Sequence, residues 1–334
     1  MNPYVIAEAG VNHNGILGNA YQLIDAAKAA GANCVKFQAF FANEVAIKNS
    51  PKAEYQKKDN SKNQYDMLIK YELSIDDFKK IKFYCEDKKI DFLATPFSKK
   101  WVDILFDLGV NAFKIASSSI GSKNLLSSIG CTKLPVILST GMSNITEIKN
   151  AIDILTSYGC PEISLLHCVT LYPAQIEQIN LFSILELKEK FNLKVGFSDH
   201  TEDIITGGLA VAAGATIIEK HFTLNKNMEG PDHAMSLLPH QLKMYIQNIR
   251  KVTIICGEKI KKPLKEELVI KKVIQTSLIT KERIPKGGTI TKEILTEKRP
   301  SFGIPIDRVY EIIGKQVNKN IEKDSIITWN DIKL

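Results

Sequence analysis

No two of the six cysteines, at positions 34, 85, 131, 160, 168 and 256, stand in CxxC spacing, which argues against a zinc knuckle or redox dithiol and for reduced, structural thiols. Cys34 and Cys168 fall in apolar, strand-like runs and are expected to be buried. Long hydrophobic runs are missing too. The longest, residues 204–218, is broken by three glycines and falls short of the about 20 apolar residues of a bilayer span, so no membrane association is expected. The opening MNPYVIAEAG lacks a basic segment leading into an apolar core, so no export signal is read and a cytoplasmic location is expected. The lysines never form a run of five or six, which argues against a nucleic-acid-binding arm. A net charge of +7 spread in this way suits a small anionic ligand better. A P-loop and a dinucleotide fingerprint are absent as well.

What is present is a globular composition, 44% hydrophobic and 24% charged over 334 residues, enough for one large domain or a large domain with a small one. Eight short apolar runs, 4–8, 34–38, 91–95, 112–117, 135–139, 163–167, 194–198 and 216–221, read as strands. They alternate with segments of helical period at 20–30, 75–88, 99–108, 145–158, 182–190 and 203–213, with Gly31, Gly109, Gly159 and Gly214 at C-cap positions. Eight such repeats predict an α/β fold, a (β/α)8 TIM barrel. The pattern closes with a helix over 239–255, giving a barrel domain at 1–258, a Lys/Glu-rich linker at 259–274 and a compact, turn-rich domain at 275–334. The polar insertion 40–73 is longer than an ordinary βα loop and is a candidate lid.

Catalytic groups of such barrels sit where strands end, and here the ends are unusually polar: Glu8 to Asn14, Lys36 and Gln38, Thr95, Lys114 with Ser117, Ser139, His167 with Thr170 and Tyr172, Ser198 to His200, and Glu219 to His221. Two lysines with several hydroxyls at one mouth make an oxyanion site, and a phosphorylated acid is the ligand they suggest. The competing reading pairs Lys36 and Lys114 with Glu8 and Glu219. His200 and His221 end consecutive strands, a placement open to a divalent metal completed by waters, to hydrogen-bonded core imidazoles or to acid–base catalysis. His13 sits in a turn-like VNHNG, and His233 and His240, flanking the last barrel helix, read as surface caps. The glycines at 207, 208 and 214 read as close helix packing.

The motifs IAEAGVNHNG, VKFQ, ATPFS, KIASSS, ILSTGM, LLHCVTLYP, GFSDHT and IIEKHFT, in this order, closely resemble the sialic acid synthase family. IPKGGTIT, KRP and NKNIEKDSIITWNDI resemble its C-terminal antifreeze-like (SAF, β-clip) domain. The resemblance implies a metal-dependent condensation of phosphoenolpyruvate with an N-acylated mannosamine-type sugar, giving a nine-carbon 2-keto acid of the N-acetylneuraminate or legionaminate type and phosphate. It implies phosphoenolpyruvate contacts at Lys36, Thr95, Lys114, Ser117, Ser139 and Ser198, and Mn2+ or Mg2+ on His200 and His221. It implies sugar contacts at Gln38, Thr170, Tyr172 and Asp232, and an arginine, Arg299, delivered into the partner's barrel by a domain-swapped homodimer. Ser119 stands where the family typically has a carboxylate, and Thr170 where many members have Asn. With Asn14 in the opening motif, the chain looks more like the legionaminic branch. Two other readings stand beside this one: a class I aldolase with Lys114 or Lys220 as Schiff-base lysine, and a synthase-like protein that only binds sugars or anions.

Overall fold

The computed structural model describes residues 2–333. The chain divides into two compact units, the first ending at Gly257 and the second beginning at Glu258.

In the first unit the eight expected runs form the strands β1 (Tyr4–Gly10), β2 (Cys34–Ala39), β3 (Asp91–Pro96), β4 (Phe113–Ile115), β5 (Val136–Ser139), β6 (Ile163–Cys168), β7 (Lys194–Asp199) and β8 (Ile217–His221). All pair in parallel, in the order β3-β2-β1-β8-β7-β6-β5-β4, and β3 and β4 lie side by side at the remaining seam. The sheet therefore closes on itself as a TIM-type barrel. Helices follow the strands as the periodicity requires. Leu17–Ala30 buries Ala20, Leu23, Ile24 and Ala27 on one face and stops at Gly31, whose φ of 88° closes the last turn. A helix at Lys123–Cys131 escapes the period-based reading because its first residues follow the Ser/Gly-rich run 117–122.

The alternation of side chains along each strand builds two layers inside the barrel. Ile6, Cys34, Leu93, Leu166 and Ile217 form an apolar plug, and two residues further along the same strands come Glu8, Lys36, Thr95, Cys168 and Glu219, lining a cavity. The intervening residues, Val35, Phe37, Phe113, Phe197 and Ile218 among them, pack outward against the helices in the main core. A polar layer, the floor of the cavity, thus rests on an apolar plug, one strand period below it.

The insertion is ordered: a short helix Ala42–Val45, a 3-10 turn Glu54–Lys58 and a helix Gln64–Tyr71 capped by Asn63. Tyr71 donates its hydroxyl to Asp59 at 2.5 Å, and Lys70 pairs with Asp59 at 3.3 Å and Glu229 at 2.7 Å. The first two hold the insertion together, and the Lys70–Glu229 pair ties it to the loop after β8.

The second unit has a core of its own, with Leu278, Ile290, Leu295, Ile304 and Ile327 among its members. β9 (Ser277–Thr280) and β10 (Leu295–Lys298) pair antiparallel, and isolated bridges such as Ile284 with Ile321 and Val317 with Ile332 knit the rest. The stretch read as a linker holds a helix, Lys265–Ile274, opened by Leu264 with Glu267 returning to its backbone at 2.6 Å. No helix of the described residues is long and apolar enough to cross a membrane.

Candidate active site

A cavity of about 480 Å³ opens at the C-terminal ends of the barrel strands. Lys36, Gln38, Thr95, Lys114, Ser117, Ser139, Thr170, Tyr172, Ser198, His200 and His221 all line it. Asp232 lines a smaller neighbouring hollow whose walls include Gln38, Tyr55, Tyr172 and His221. Arg299 belongs to the second unit, directly after β10.

At the floor, Lys36 Nζ sits 3.3 Å from Glu8 and 3.2 Å from Glu219, and touches the Thr95 hydroxyl at 3.2 Å. Lys114 donates to Ser139 Oγ at 2.6 Å and lies 3.8 Å from Glu219. The pairing of both lysines with carboxylates is therefore real, and it coexists with their exposure to the cavity. The four charges are interdependent. Burial pushes Lys36 down, but Glu219 and Glu8 outweigh it and hold the ammonium above its usual value. Lys114, buried with less compensation from Glu219 and repelled by Lys36, falls to about 8. Burial lifts Glu8 to about 7 against the pull of Lys36. Glu219, equally buried but flanked by both lysines, is brought down to about 2. The floor thus holds one firm carboxylate, one that titrates near neutrality and two ammonium groups, an arrangement that attracts an anion and can exchange a proton.

Hydroxyls ring this floor. Ser198 donates to Glu219 at 2.9 Å. Ser117 accepts from the Gly141 amide at 2.9 Å and lies 3.2 Å from Cys168. Gly141 is required there: a Cβ would stand 2.2 Å from the Thr170 hydroxyl and 2.9 Å from that of Ser117.

The two histidines stand at one side of the mouth, ring centroids 5.6 Å apart. His200 Nδ1 lies 2.7 Å from the Val169 carbonyl, so the hydrogen-bond network assigns the proton to Nδ1 and leaves the Nε2 lone pair free. Nε2 is 3.3 Å from Ser198 Oγ, whose own proton goes to Glu219. His221 Nδ1 is buried with no hydrogen-bond partner and lies 3.9 Å from Asp232. Burial holds His200 at about 4 and His221 well below the usual value. Neutral imidazoles with free lone pairs are the ligating form. No cluster of three or more His, Cys, Asp and Glu side chains suited to a metal occurs among the described residues. The two free ring nitrogens are donors that could hold a divalent ion only with its remaining positions completed by oxygen from water or substrate.

Several expectations are corrected. Lys220 points away from the cavity, through the barrel wall, to a 3.0 Å ion pair with Asp199, which removes it as a Schiff-base candidate; the parity of β8 turns Glu219 and His221 inward and Lys220 outward. His233 is no surface cap. It is buried, with Nδ1 2.6 Å from the Thr223 hydroxyl and Nε2 2.8 Å from Asn14 Oδ1, because the chain after β8 folds back over the turn that follows β1. Cys131 and Cys256 are exposed, while Cys34, Cys85, Cys160 and Cys168 are buried. The glycine reading holds: a Cβ on Gly207 would lie 2.4 Å from the Tyr245 ring.

The cavity also contains residues that no motif marked. Glu44, Val45, Tyr55, Gln56 and Gln64 come from the insertion, and Tyr55 packs on Tyr172 with centroids 4.6 Å apart, which in turn packs on His200 at 4.3 Å. Only the length of the insertion signalled them.

The sequence matches the NeuB family over residues 23–261 and the SAF domain over residues 275–333. It is 43% identical to the N,N'-diacetyllegionaminic acid synthase of Campylobacter jejuni, over 97% of this chain and 98% of that protein. It is 39% identical to the protein of the same name from Legionella pneumophila, over 100% of this chain and 95% of that one. Among solved structures, the N-acetylneuraminic acid (sialic acid) synthetase of Leptospira borgpetersenii, crystallised with citrate, superposes with a TM-score of 0.74 at 34% identity, covering 81% of this chain and 90% of that one. On the strength of the family match and these near full-length relatives, the chain belongs to the NeuB family and carries a C-terminal SAF domain.

Proposed function

We propose that this protein is a nonulosonic acid synthase that condenses phosphoenolpyruvate with an open-chain N-acylated mannosamine-type sugar, giving a nine-carbon 2-keto acid and phosphate. The observation that carries the reading is the two-lysine, two-carboxylate floor ringed by hydroxyls, with two neutral histidines beside it. Its relatives named as N,N'-diacetyllegionaminic acid and N-acetylneuraminic acid synthases support the reaction class.

In this reading Lys36 and Lys114, with Thr95, Ser117, Ser139 and Ser198, bind the carboxylate and phosphate of phosphoenolpyruvate through charge-assisted hydrogen bonds. Gln38, Thr170, Tyr172 and Asp232 orient the acceptor with its aldehyde against the enol carbon, and Arg299 closes over the sugar from the SAF domain of a partner in a domain-swapped homodimer. A divalent metal, Mn2+ or Mg2+, held by His200 and His221, supplies Lewis-acid polarisation of the aldehyde when bound. The C2=C3 π pair of phosphoenolpyruvate forms the bond from C3 to the aldehyde carbon while the aldehyde C=O π pair takes up a proton as a hydroxyl. Water adds to C2 with loss of a proton, and the C2–O bond to phosphate breaks, leaving the 2-keto group and inorganic phosphate. Tyr55 and the rest of the insertion shield the site from bulk water.

The acceptor we favour is a 2,4-diacetamido-2,4,6-trideoxymannose. Ser119 removes a carboxylate from the sugar side, which suits a C6 methyl and a C4 amide better than an additional hydroxyl. Location in the cytoplasm, where phosphoenolpyruvate is made, accords with this role.

Phosphate release with Mn2+, offering this sugar and N-acetylmannosamine side by side and identifying products by mass, tests the proposal. Turnover with the trideoxy sugar alone supports the legionaminic assignment, and turnover with N-acetylmannosamine alone replaces it with the sialic one. Release with neither, despite phosphoenolpyruvate binding, favours the non-catalytic reading. The lowered ammonium of Lys114 also suits a Schiff-base lysine, and borohydride trapping of a pyruvate adduct distinguishes that reading.

A further inference from the structure

Behind the two histidines, on the outer side of the barrel wall, lies a polar cluster that the proposed reaction does not use. Alternation along β7 and β8 turns Ser198, Glu219 and His221 to the cavity and Asp199 and Lys220 outward, beneath the helices Thr206–Ala212 and Pro239–Cys256. The neighbouring residues of this outer layer, Phe197 and Ile218, are apolar core.

Asp199 and Lys220 are register partners across the two strands and meet at 3.0 Å, both side chains essentially inaccessible. Asp199 Oδ2 also accepts from the Tyr245 hydroxyl at 2.8 Å and from Thr206, while Oδ1 accepts from the Thr201 amide at 2.9 Å and hydroxyl at 2.8 Å. Lys220 donates to the Thr201 carbonyl at 2.6 Å. A buried ion pair is often no more stabilising than an apolar pair of similar volume, so stability is a weak reason for it here. Its geometry is a stronger one. Asp199 and Thr201 flank His200, and Lys220 immediately precedes His221, so one pair ties the chain on both sides of the first imidazole to the backbone that carries the second. Gly207 is part of the arrangement, since only a residue without Cβ admits the Tyr245 ring at this distance.

We propose that Asp199, Lys220 and Tyr245 are positioning residues that fix the separation of His200 and His221, and through it the affinity of the two imidazoles for a divalent cation. The inference rests on the two-histidine reading of the site given above.

The full chain, stripped with chelator, is titrated with Mn2+ alone, free Mn2+ being read by electron paramagnetic resonance well below the melting temperature of every variant. Tyr245→Phe deletes one hydroxyl, and the double variant Asp199→Asn/Lys220→Met replaces the ion pair by neutral groups of similar size. The Mn2+ Kd is expected to rise about tenfold or more in each, the usual effect of removing a group that orients a metal ligand. His221→Ala is the control. Wild-type Mn2+ affinity in Tyr245→Phe and in the double variant, beside a weakened His221→Ala, overturns the positioning role alone, whatever the melting temperatures do. Unchanged affinity in His221→Ala overturns the two-histidine site, and the positioning role with it. If the double variant does not fold, Tyr245→Phe decides the matter.

Discussion

Glu8 and Lys36 face one another in register on neighbouring strands, and their side chains meet 3.3 Å apart inside the barrel. Glu219 stands on the other side of the same ammonium at 3.2 Å, so Lys36 bridges two carboxylates that would otherwise repel across the cavity floor. An arriving dianion or trianion has to compete with them. The near-neutral titration of Glu8 lowers that barrier, because its protonation removes one of the two competitors.

Lys114→Met removes the ammonium that faces the cavity with the weaker carboxylate compensation. We expect kcat/KM for phosphoenolpyruvate to fall by about 100-fold or more, most of it appearing in KM. Steady-state phosphate release measures it, and a KM within about twofold of wild type takes Lys114 out of the phosphoenolpyruvate site.

Tyr55→Ala removes the outer ring of the Tyr55–Tyr172–His200 stack. In the proposed reading the acceptor lies against Tyr172 and should suffer: its KM is expected to rise about tenfold with that of phosphoenolpyruvate little changed. Tyr55→Phe, which keeps the ring, should restore it. Equal loss for both substrates would point to collapse of the insertion.

Stability should fall on acidification. Burial holds His13, His200 and His233 at about 4, below the about 6.5 of an unfolded chain, so each contributes stability that is present above pH 6.5 and lost as pH falls towards 4. Glu8 and Asp232, lifted by burial to about 7, act oppositely, contributing most below their unfolded values and least above pH 7. His221, also lowered, joins the majority. In metal-free protein the melting temperature is expected to drop by roughly 5 °C or more between pH 6.5 and 4.5. A rising melting temperature over that range would show that the two carboxyls dominate.

Gly207→Ala places a methyl against the Tyr245 ring. Overpacking of this kind costs about 1–3 kcal/mol, which a denaturant titration resolves as a lower midpoint at unchanged slope. An unaltered midpoint would mean that the helix Pro239–Cys256 yields to the methyl, and that Tyr245 is held less firmly than its hydrogen bond to Asp199 implies.

Much of this architecture is legible in the residues. The runs beginning at Tyr4, Cys34 and Lys194 declare themselves by apolar, β-branched content, and strand ends as polar as VKFQ or GFSDHT have few explanations other than a site. The residues that escaped did so for identifiable reasons. Tyr55 and Gln56 lie in a segment without period, so its path over the cavity depends on contacts such as Lys70 with Glu229, far apart in sequence. His233 reads as a helix-flanking cap until the loop after β8 is seen to fold back on Asn14.

The sequence by itself determined that eight strands alternate with helices, that each carries polar residues near its end, and that Cys34, Lys36 and Gln38 share one face while Val35 and Phe37 share the other. Period-two alternation guarantees this much. It could not say which face is inside. Lys36 and Lys220 are both lysines near the ends of apolar strands, yet one lines the cavity between two carboxylates and the other lies behind the wall, joined to Asp199. Only closure of the barrel, which assigns an inside to each strand and brings partners from distant segments within bonding distance, decided between them.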